Sequence, residues 1–205
     1  MKEKILQAAL NQFNAHGVSG TSLRAIAAEA YISDGHLRYY FKTKEILLLE
    51  LFSQLEDKLA GMLPTQLPSF SPETVVPLIE NTYDFLNETR FFFIEAPLLF
   101  LKYPTVLEGF NQMHERRRLQ MLEAFNLFKA IGFFRPNIRQ SEMNLLYEQF
   151  FILTDNYVKY ANFSTLKTIG GDDKSRFCRL CLYLFLPYLS ENIKTRFETY
   201  VLGIV

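Results

Sequence analysis

Apolar side chains recur at intervals of three and four residues along almost the whole chain. This spacing places them on one face of a helix, whereas a half-buried strand needs alternation at every second residue. The longest stripe lies in residues 105–131 and consists of Leu107, Phe110, His114, Arg118, Met121, Phe125 and Phe128. The pattern predicts an all-α protein, with a short N-terminal helical head followed by a larger C-terminal helical bundle.

Residues that cap or break helices divide this pattern into about ten segments. Gly17 is placed to end the first helix, and Ser33 to cap the third. Pro77 is expected to kink the fifth helix or to reset its start, and Pro97 to break the sixth, because proline lacks the N–H that a helix interior uses.

Charge is balanced over the chain but not along it. The 205 residues include 22 basic and 22 acidic side chains, which excludes a uniformly basic protein that coats nucleic acid. Residues 1–44 nevertheless hold six basic and three acidic residues, and the remainder has a balance of −3. A polyanionic partner at the head is compatible with this distribution.

Signals for export or membrane insertion are not found. The densest apolar segment, residues 177–189, is too short to span a bilayer and contains Arg179. We therefore expect a cytoplasmic protein without a membrane partner. Cys178 and Cys181 are expected to be buried and reduced, because two thiols alone do not complete a zinc site.

Residues 21–45 have the features of a helix-turn-helix. Ala27 and Ala28 are small, so the second helix can approach the third closely. Ser33 would cap the third helix and leave its free N–H groups facing outward, where they favour phosphate. Gly35 removes a side chain near the start of that helix, so a groove wall could come close.

This segment resembles the DNA-binding head of the TetR (tetracycline repressor) family of bacterial transcriptional regulators. The resemblance covers about residues 5–55 and rests on Thr21, Ile26-Ala27, Ser33, Gly35, Leu37, Tyr39-Tyr40-Phe41 and Lys42-Thr43-Lys44-Glu45. It implies a helix-turn-helix DNA-binding domain in residues 1–46 and a helical ligand-binding and dimerisation domain in residues 47–205.

The resemblance also implies which residues contact DNA. They are Thr21, Ser22, Arg24, Ser33, Asp34, Gly35, His36, Arg38, Tyr39, Tyr40 and Lys44, with Lys44 on a phosphate. Tyr31 departs from the glycine or asparagine common in the family's turn, and a left-handed conformation there would cost about 1 kcal/mol. Asp34 faces phosphate unfavourably, so it would accept from a cytosine amine or stabilise the helix N-terminus.

Aromatic residues of the body suggest a ligand cavity between helices five to eight. The proposed lining is Phe92, Phe93, Phe100, Phe110, His114, Arg118, Met121, Phe125 and Phe150. His114 and Arg118 would supply polar contacts to a neutral or anionic hydrophobic ligand. The alternative is that these rings only fill the core and that His114 has a structural partner.

Helices eight and nine each have two apolar faces, one more than a chain's own core requires. The second face predicts a homodimer in which these two helices from each chain form a four-helix interface, with Leu184 and Phe185 in the seam.

The combined interpretation is a ligand-responsive homodimeric regulator, most simply a repressor, released from a palindromic double-stranded DNA operator by a small hydrophobic effector. The sequence shows no catalytic constellation, so we expect no enzymatic activity and no cofactor or metal. The alternative is an all-helical carrier or enzyme for apolar ligands that does not bind DNA.

Overall fold

The computed structural model describes residues 1–62, 71–163 and 173–202 and is all-α in these ranges, apart from an isolated bridge between Phe134 and Leu189. Its helices are α1 Lys2–Gly20, α2 Leu23–Glu29, α3 Asp34–Tyr40, α4 Lys44–Ala60, α5 Pro72–Glu88, α6 Arg90–Lys102, α7 Pro104–Ala130, α8 Gln140–Phe163, α9 Asp173–Phe185 and α10 Glu191–Leu202. A 3-10 turn, Leu186–Tyr188, follows α9. The predicted fold class is confirmed.

Two compact units make up the chain. The N-terminal unit comprises Met1–Gly61 and Asn87–His114, and the C-terminal unit comprises Met62–Leu86 and Glu115–Val205. Helix α4 belongs to the same unit as α1 to α3, and α6 joins them. The division at residue 46 inferred from the sequence stays a prediction about function.

The N-terminal unit is built around one apolar core. Ile5, Phe13, Ile26 and Leu37 from the first three helices are each at most 1% exposed. The Phe13 ring packs 5.3 Å from the ring of Phe91 in α6. Burial of such side chains stabilises the unit by about 1.5–3 kcal/mol each.

Gly17 interrupts α1 as the sequence predicts. Its φ of 72° and ψ of 164° are not helical, and the chain resumes a helical turn through Gly20. A Cβ added at Gly17 would lie 2.1 Å from Oε1 of Glu95. Two features therefore require glycine here: the positive φ, which side chains disfavour, and the Glu95 carboxylate, which leaves no room for a Cβ.

The prediction that Pro97 breaks the sixth helix is wrong. Helix α6 runs through Pro97, as α5 runs through Pro77. Proline in a helix interior costs about 3 kcal/mol, and buried apolar residues on both sides offset that cost. In α6, Phe91 and Phe92 precede Pro97, Leu99 follows it, and all three are at most 4% exposed.

The core of the C-terminal unit includes both cysteines. Cys178 and Cys181 form no disulfide and are fully buried, as expected. Burial raises the pKa of the Cys181 thiol, so it stays protonated and unreactive. Phe177 lies beside them, and its ring centre is 4.9 Å from that of Tyr157 in α8.

Candidate nucleic-acid interface and ligand cavity

The turn between α2 and α3 is left-handed at Tyr31, whose φ is 55°. Two backbone hydrogen bonds hold this turn: Tyr31 N–H donates to the carbonyl of Ala28 and Ile32 N–H to that of Ala27, both at 3.0 Å. The Tyr31 ring is 88% exposed, and the ammonium of Lys4 lies 5.4 Å from its centre. The conformation that would make tyrosine costly is therefore the one adopted.

Helix α3 presents an exposed face rich in hydrogen-bonding groups. Ser33 caps it by accepting from the N–H of His36 at 3.2 Å, and Leu37 anchors its inner side with 0% exposure. The exposed residues of α3 are Gly35, His36, Arg38, Tyr39 and Tyr40. The Tyr39 ring, 81% exposed, packs edge-on against Tyr40 at 5.3 Å.

Asp34 and Arg38 form an ion pair one helical turn apart on this face. Arg38 Nε donates to Asp34 Oδ2 at 2.8 Å, and the two side chains are 40% and 53% exposed respectively. The pair offsets the negative charge that Asp34 would otherwise present to a phosphate. Arg38 also keeps its terminal guanidinium nitrogens for another partner, because Nε makes this bond.

The candidates at the start of α2 divide into exposed and buried residues. Ser22 and Arg24 are exposed, and Ser22 caps the helix. Thr21 is 3% exposed, and its hydroxyl is within donating distance of the carbonyls of Gly17, at 2.8 Å, and Gln12, at 3.2 Å. In this structure the Thr21 side chain therefore fixes α2 against α1 and offers no surface to DNA.

Lys44 is half-buried and bonded internally. Its ammonium donates to the carbonyl of Val18 at 2.6 Å. Burial lowers the pKa of Lys44, nearby Lys102 lowers it further, and Glu95 opposes the shift. An ammonium has three donors, so a phosphate contact by Lys44 stays compatible with this geometry and stays a prediction.

The ring cluster of α6 and the first turns of α7 belongs to the N-terminal unit. Phe92 is 4% exposed, and its ring centre lies 5.4 Å from Phe52, 5.9 Å from Phe100 and 5.8 Å from Phe110. The ring of His114 stacks on Phe110 at 6.3 Å. These rings, with Phe93, fill the interior of this unit.

A separate cavity of about 120 Å³ lies inside the C-terminal unit. Its lining consists of Met62, Val75, Leu78, Ile79, Thr82, Arg117, Met121, Phe125, Phe128, Phe133, Phe150, Leu182, Phe185, Leu189 and Phe197. Met121, Phe125 and Phe150 are the predicted residues found there. Phe92, Phe93, Phe100, Phe110, His114 and Arg118 are not part of this lining.

Arg117, which the sequence interpretation did not select, is the charged residue of that lining. Arg118 instead donates to both carboxylate oxygens of Glu115, at 2.6 and 2.8 Å. Arg117 precedes Met121 by four residues and Arg118 precedes it by three. Both spacings place a residue on the same helix face, so periodicity is consistent with either arginine. The pattern contained the signal for Arg117 but could not choose between them.

Two ionisable side chains of α8 act on Arg117. Burial lowers the pKa of the Arg117 guanidinium, while Tyr147 and Asp155 act in the opposite direction. Burial raises the pKa of the Asp155 carboxyl from 3.8 to about 7, although Arg117 and Lys159 both lower it. Arg117 is a cation at neutral pH, because a guanidinium keeps its proton in proteins. Asp155 is divided between its neutral and ionised forms.

An apolar surface remains uncovered on α8 and α9. Its exposed large residues are Leu145, Ile152, Tyr160, Leu180 and Tyr183, each between 39% and 61% exposed. Phe185 faces away from this surface, because it lines the cavity and its ring packs 5.8 Å from Phe125. The predicted placement of Leu184 and Phe185 in an intersubunit seam stays a prediction, and both residues are half-buried. The exposed residues of α9 are Arg179, Leu180 and Tyr183.

Over residues 1–62, 71–163 and 173–202, no helix is long and apolar enough to cross a membrane. The same ranges hold no group of three His, Cys, Asp or Glu side chains placed to bind a metal ion.

Family models match both parts of the chain. Residues 5–51 match the N-terminal model described as bacterial regulatory proteins, tetR family. Residues 54–197 match the TetR model described as a bacterial transcriptional repressor. The second match alone covers more than half of the chain.

Two curated relatives are regulators. The chain is 36% identical over 87 residues to the probable HTH-type transcriptional regulator YttP of Bacillus subtilis, covering 42% of each chain. It is 35% identical over 107 residues to the HTH-type transcriptional regulator RutR of Escherichia coli, covering 48% of this chain and 50% of that protein. The matched region thus spans half, or less, of the length of these relatives.

Solved structures share the fold over nearly the whole chain. A TetR-family transcriptional regulator from Marinobacter aquaeolei superposes with a TM-score of 0.85 at 21% identity, covering 99% of this chain and 98% of that one. The ketosteroid transcriptional regulator KstR2 of Mycobacterium tuberculosis gives 0.64 at 19% identity, with 93% and 95% covered. The fatty acid degradation regulator FadR of Bacillus halodurans gives 0.65 at 21%, with 89% and 93% covered.

Proposed function

The chain belongs to the TetR family of bacterial regulatory proteins, and on this basis we propose that it is a transcriptional regulator whose helix-turn-helix binds operator DNA. The observation that carries the proposal is the exposed face of α3. That face presents Arg38, Tyr39 and His36 on a short helix that is capped by Ser33 and anchored by Leu37. An α-helix of this kind fits the major groove, where base edges differ between all four base pairs.

The contacts divide into base readout and phosphate positioning. Arg38 is suited to a guanine or a phosphate, because its terminal nitrogens project beyond the Asp34 pair. Tyr39 and the N-terminal hydroxyls of Ser22 and Ser33 are suited to the phosphate backbone. Phosphate contacts of this kind fix the register of α3 without carrying sequence information.

The regulator acts as a homodimer joined through the exposed apolar surface of α8 and α9. Leu145, Ile152, Leu180 and Tyr183 provide the uncovered apolar area that a second copy would bury. A twofold axis through this interface would present two heads to a palindromic operator, with half-sites about 34 Å or a multiple of that distance apart.

A small, largely apolar effector occupies the cavity of the C-terminal unit. The walls are predominantly aliphatic and aromatic, with Arg117 and Thr82 as the polar groups of the described lining. This composition is typical of small-molecule sites. Two structural relatives are described as a ketosteroid transcriptional regulator and a fatty acid degradation regulator, and both names refer to largely apolar small molecules.

Repression relieved by the effector is the simplest regulatory scheme. The matched C-terminal model is described as a bacterial transcriptional repressor. Because coupling between two binding sites is reciprocal, an effector that weakens operator binding is itself bound less tightly by the operator complex.

The test begins with selection of binding sequences from a random duplex library by the purified chain. The selected duplex is then titrated with wild type, Arg38→Ala and Arg196→Ala. Arg196 is a matched control, because it too pairs with a carboxylate, that of Glu73, and its side chain is 56% exposed compared with 53% for Arg38.

We expect Arg38→Ala to weaken binding to the selected duplex by about tenfold or more, and Arg196→Ala to change it by less than about twofold. Failure to enrich any sequence would contradict the proposal and favour the carrier or enzyme alternative. Equal losses for both variants would show that α3 does not read the DNA.

A further inference from the structure

The cavity of the C-terminal unit has one cationic residue in a lining that is otherwise largely apolar. Six phenylalanines line it, and Arg117 is its charged residue among the described side chains. Arg117 is half-buried, so its guanidinium is only partly solvated. A desolvated cation is costly unless an anion or several acceptors face it.

The protein compensates that charge incompletely. Asp155 is the carboxylate that raises the pKa of Arg117, and Tyr147 acts in the same direction. Asp155 is itself shared with Lys159. Arg118, the next residue, is satisfied instead by a two-point pair with Glu115. The neighbouring arginines thus differ: Arg118 pairs with a surface carboxylate, whereas Arg117 lines the apolar cavity and interacts with a carboxyl that is only partly ionised at neutral pH.

The dimensions of the cavity limit the apolar part of a ligand. At about 120 Å³ it is somewhat smaller than an engineered cavity of about 150 Å³ that binds benzene. An apolar body no larger than about one aromatic ring or a short unbranched aliphatic chain matches this size. Thr82 already donates its hydroxyl to the carbonyl of Leu78 at 3.1 Å, which leaves it as an acceptor only.

We infer that this cavity selects a small monocarboxylate, with one ring or an unbranched chain as its apolar body, and that the ligand carboxylate pairs with Arg117. The carboxylate would supply the two coplanar oxygens that match a guanidinium fork. The phenylalanine walls would contact the body. This inference rests on the proposed effector role of the cavity and adds the ligand's charge and size to it.

Asp155 becomes the competitor of the ligand in this arrangement. When ionised, Asp155 partly neutralises the positive charge of Arg117. When neutral, it leaves the guanidinium to the incoming carboxylate and can donate a hydrogen bond itself. Lys159, on the same helix as Asp155, provides the other cation that acts on this carboxyl.

The test compares two single-ring probes of similar size by calorimetric titration: benzoate and the neutral benzyl alcohol. Wild type is expected to bind the carboxylate at least about tenfold more tightly than the alcohol. In Arg117→Met the carboxylate should lose about tenfold or more, and the alcohol less than about twofold, because the methionine keeps the apolar stem.

Arg116→Met is the control, since Arg116 neighbours Arg117 on the same helix but is exposed and absent from the cavity lining. Its affinity for both probes should equal that of wild type. Arg117→Lys should recover part of the preference for the carboxylate, because it restores the charge without the planar fork.

Equal affinities of wild type for the two probes, or no binding of either, would overturn the inference without any variant being needed. Titration of the selected operator duplex with the same preparations keeps this outcome distinct from failure of the proposed function. Operator binding by wild type and Arg117→Met alongside equal probe affinities would reject the carboxylate ligand and leave the DNA-binding proposal in place.

Discussion

The N–H of Val18 donates to both carboxylate oxygens of Glu95, at 3.1 Å each, although the two residues are 77 positions apart. The carbonyl of Val18 accepts from Lys44 at 2.6 Å. Helices α6 and α4 therefore hold the two backbone groups of one residue, directly after the left-handed break at Gly17. Neither interaction follows from local sequence, because each joins segments that are distant along the chain.

Replacing Glu95 by glutamine should lower the free energy of unfolding by about 1–3 kcal/mol, since a charged acceptor is lost from a partly buried N–H. Urea denaturation followed by circular dichroism measures it. Glu123→Gln, at an exposed position of α7, should stay within about 0.5 kcal/mol of wild type. Equal effects of the two changes would show that the Glu95 contact contributes nothing.

Gly17 and Gly35 should respond oppositely to alanine. At Gly17 the backbone is left-handed and a Cβ would meet the Glu95 carboxylate, so we expect a loss of more than about 1 kcal/mol. At Gly35 a Cβ meets nothing within 4 Å, and α3 should gain up to about 1 kcal/mol. Thermal melts of both variants test this, and a stabilised Gly17→Ala would contradict the structure.

Lys44→Met distinguishes two roles of the Lys44 ammonium: its hydrogen bond to Val18 and a contact with a DNA phosphate. Loss of the bond to the Val18 carbonyl should destabilise the chain by about 1 kcal/mol. If the ammonium also contacts a phosphate, the slope of log affinity for the operator against log salt falls by about one. Lys42→Met, at an exposed position, is the control for stability. Destabilisation with an unchanged slope would restrict Lys44 to its structural role.

Asp155 should make both stability and ligand binding depend on pH. Its folded pKa of about 7 lies above the ordinary 3.8, so the folded state holds the extra proton between these values. Stability contributed by this group is therefore full below the lower value and is lost as the pH rises through about 7. The total change should be on the order of a few kcal/mol.

The same titration should tighten benzoate binding as the pH falls through about 7, because neutral Asp155 no longer competes for Arg117. Asp155→Asn should flatten both profiles. The alcohol probe, which carries no charge, should show a smaller dependence on pH. Identical profiles for wild type and Asp155→Asn would assign the titration to another group.

Ile152→Asp should dissociate the proposed dimer, because the aspartate would place an unpaired charge in an apolar interface at a cost of several kcal/mol. Leu98→Asp is a matched control: Leu98 is 64% exposed and Ile152 is 61% exposed, but Leu98 belongs to α6. Sedimentation velocity should show monomers for the first variant and dimers for the second. A dimer that persists in Ile152→Asp would place the interface elsewhere.

Local chemistry made the head predictable. Ser33 as a helix cap and the strained turn at Tyr31 both depend on a few neighbouring residues, and the sequence displays these directly. The packing of the aromatic residues in the body was harder to predict, because periodicity assigns residues to a helix face without saying which helix covers that face. Phe92 and Phe125 share the predicted pocket, yet they pack in different units.

Which polar residues line the cavity also depends on how the helices pack. Arg117 and Arg118 fit the same stripe, and only the contacts of α7 show that Glu115 holds one while the cavity receives the other. The partner of Glu95 could not be predicted either, because it is the backbone N–H of Val18 and a side-chain pattern carries no information about backbone donors.

The contact between Lys4 and the ring of Tyr31, at 5.4 Å, has a practical consequence for anyone who purifies this protein. Lys4 lies in the first turn of α1, so Met1 is only about 4–5 Å from it along the helix axis. An affinity tag fused to Met1 would begin beside the turn that precedes α3. Such a tag would carry its own charges into the space where the operator is expected, and binding constants should be measured after its removal.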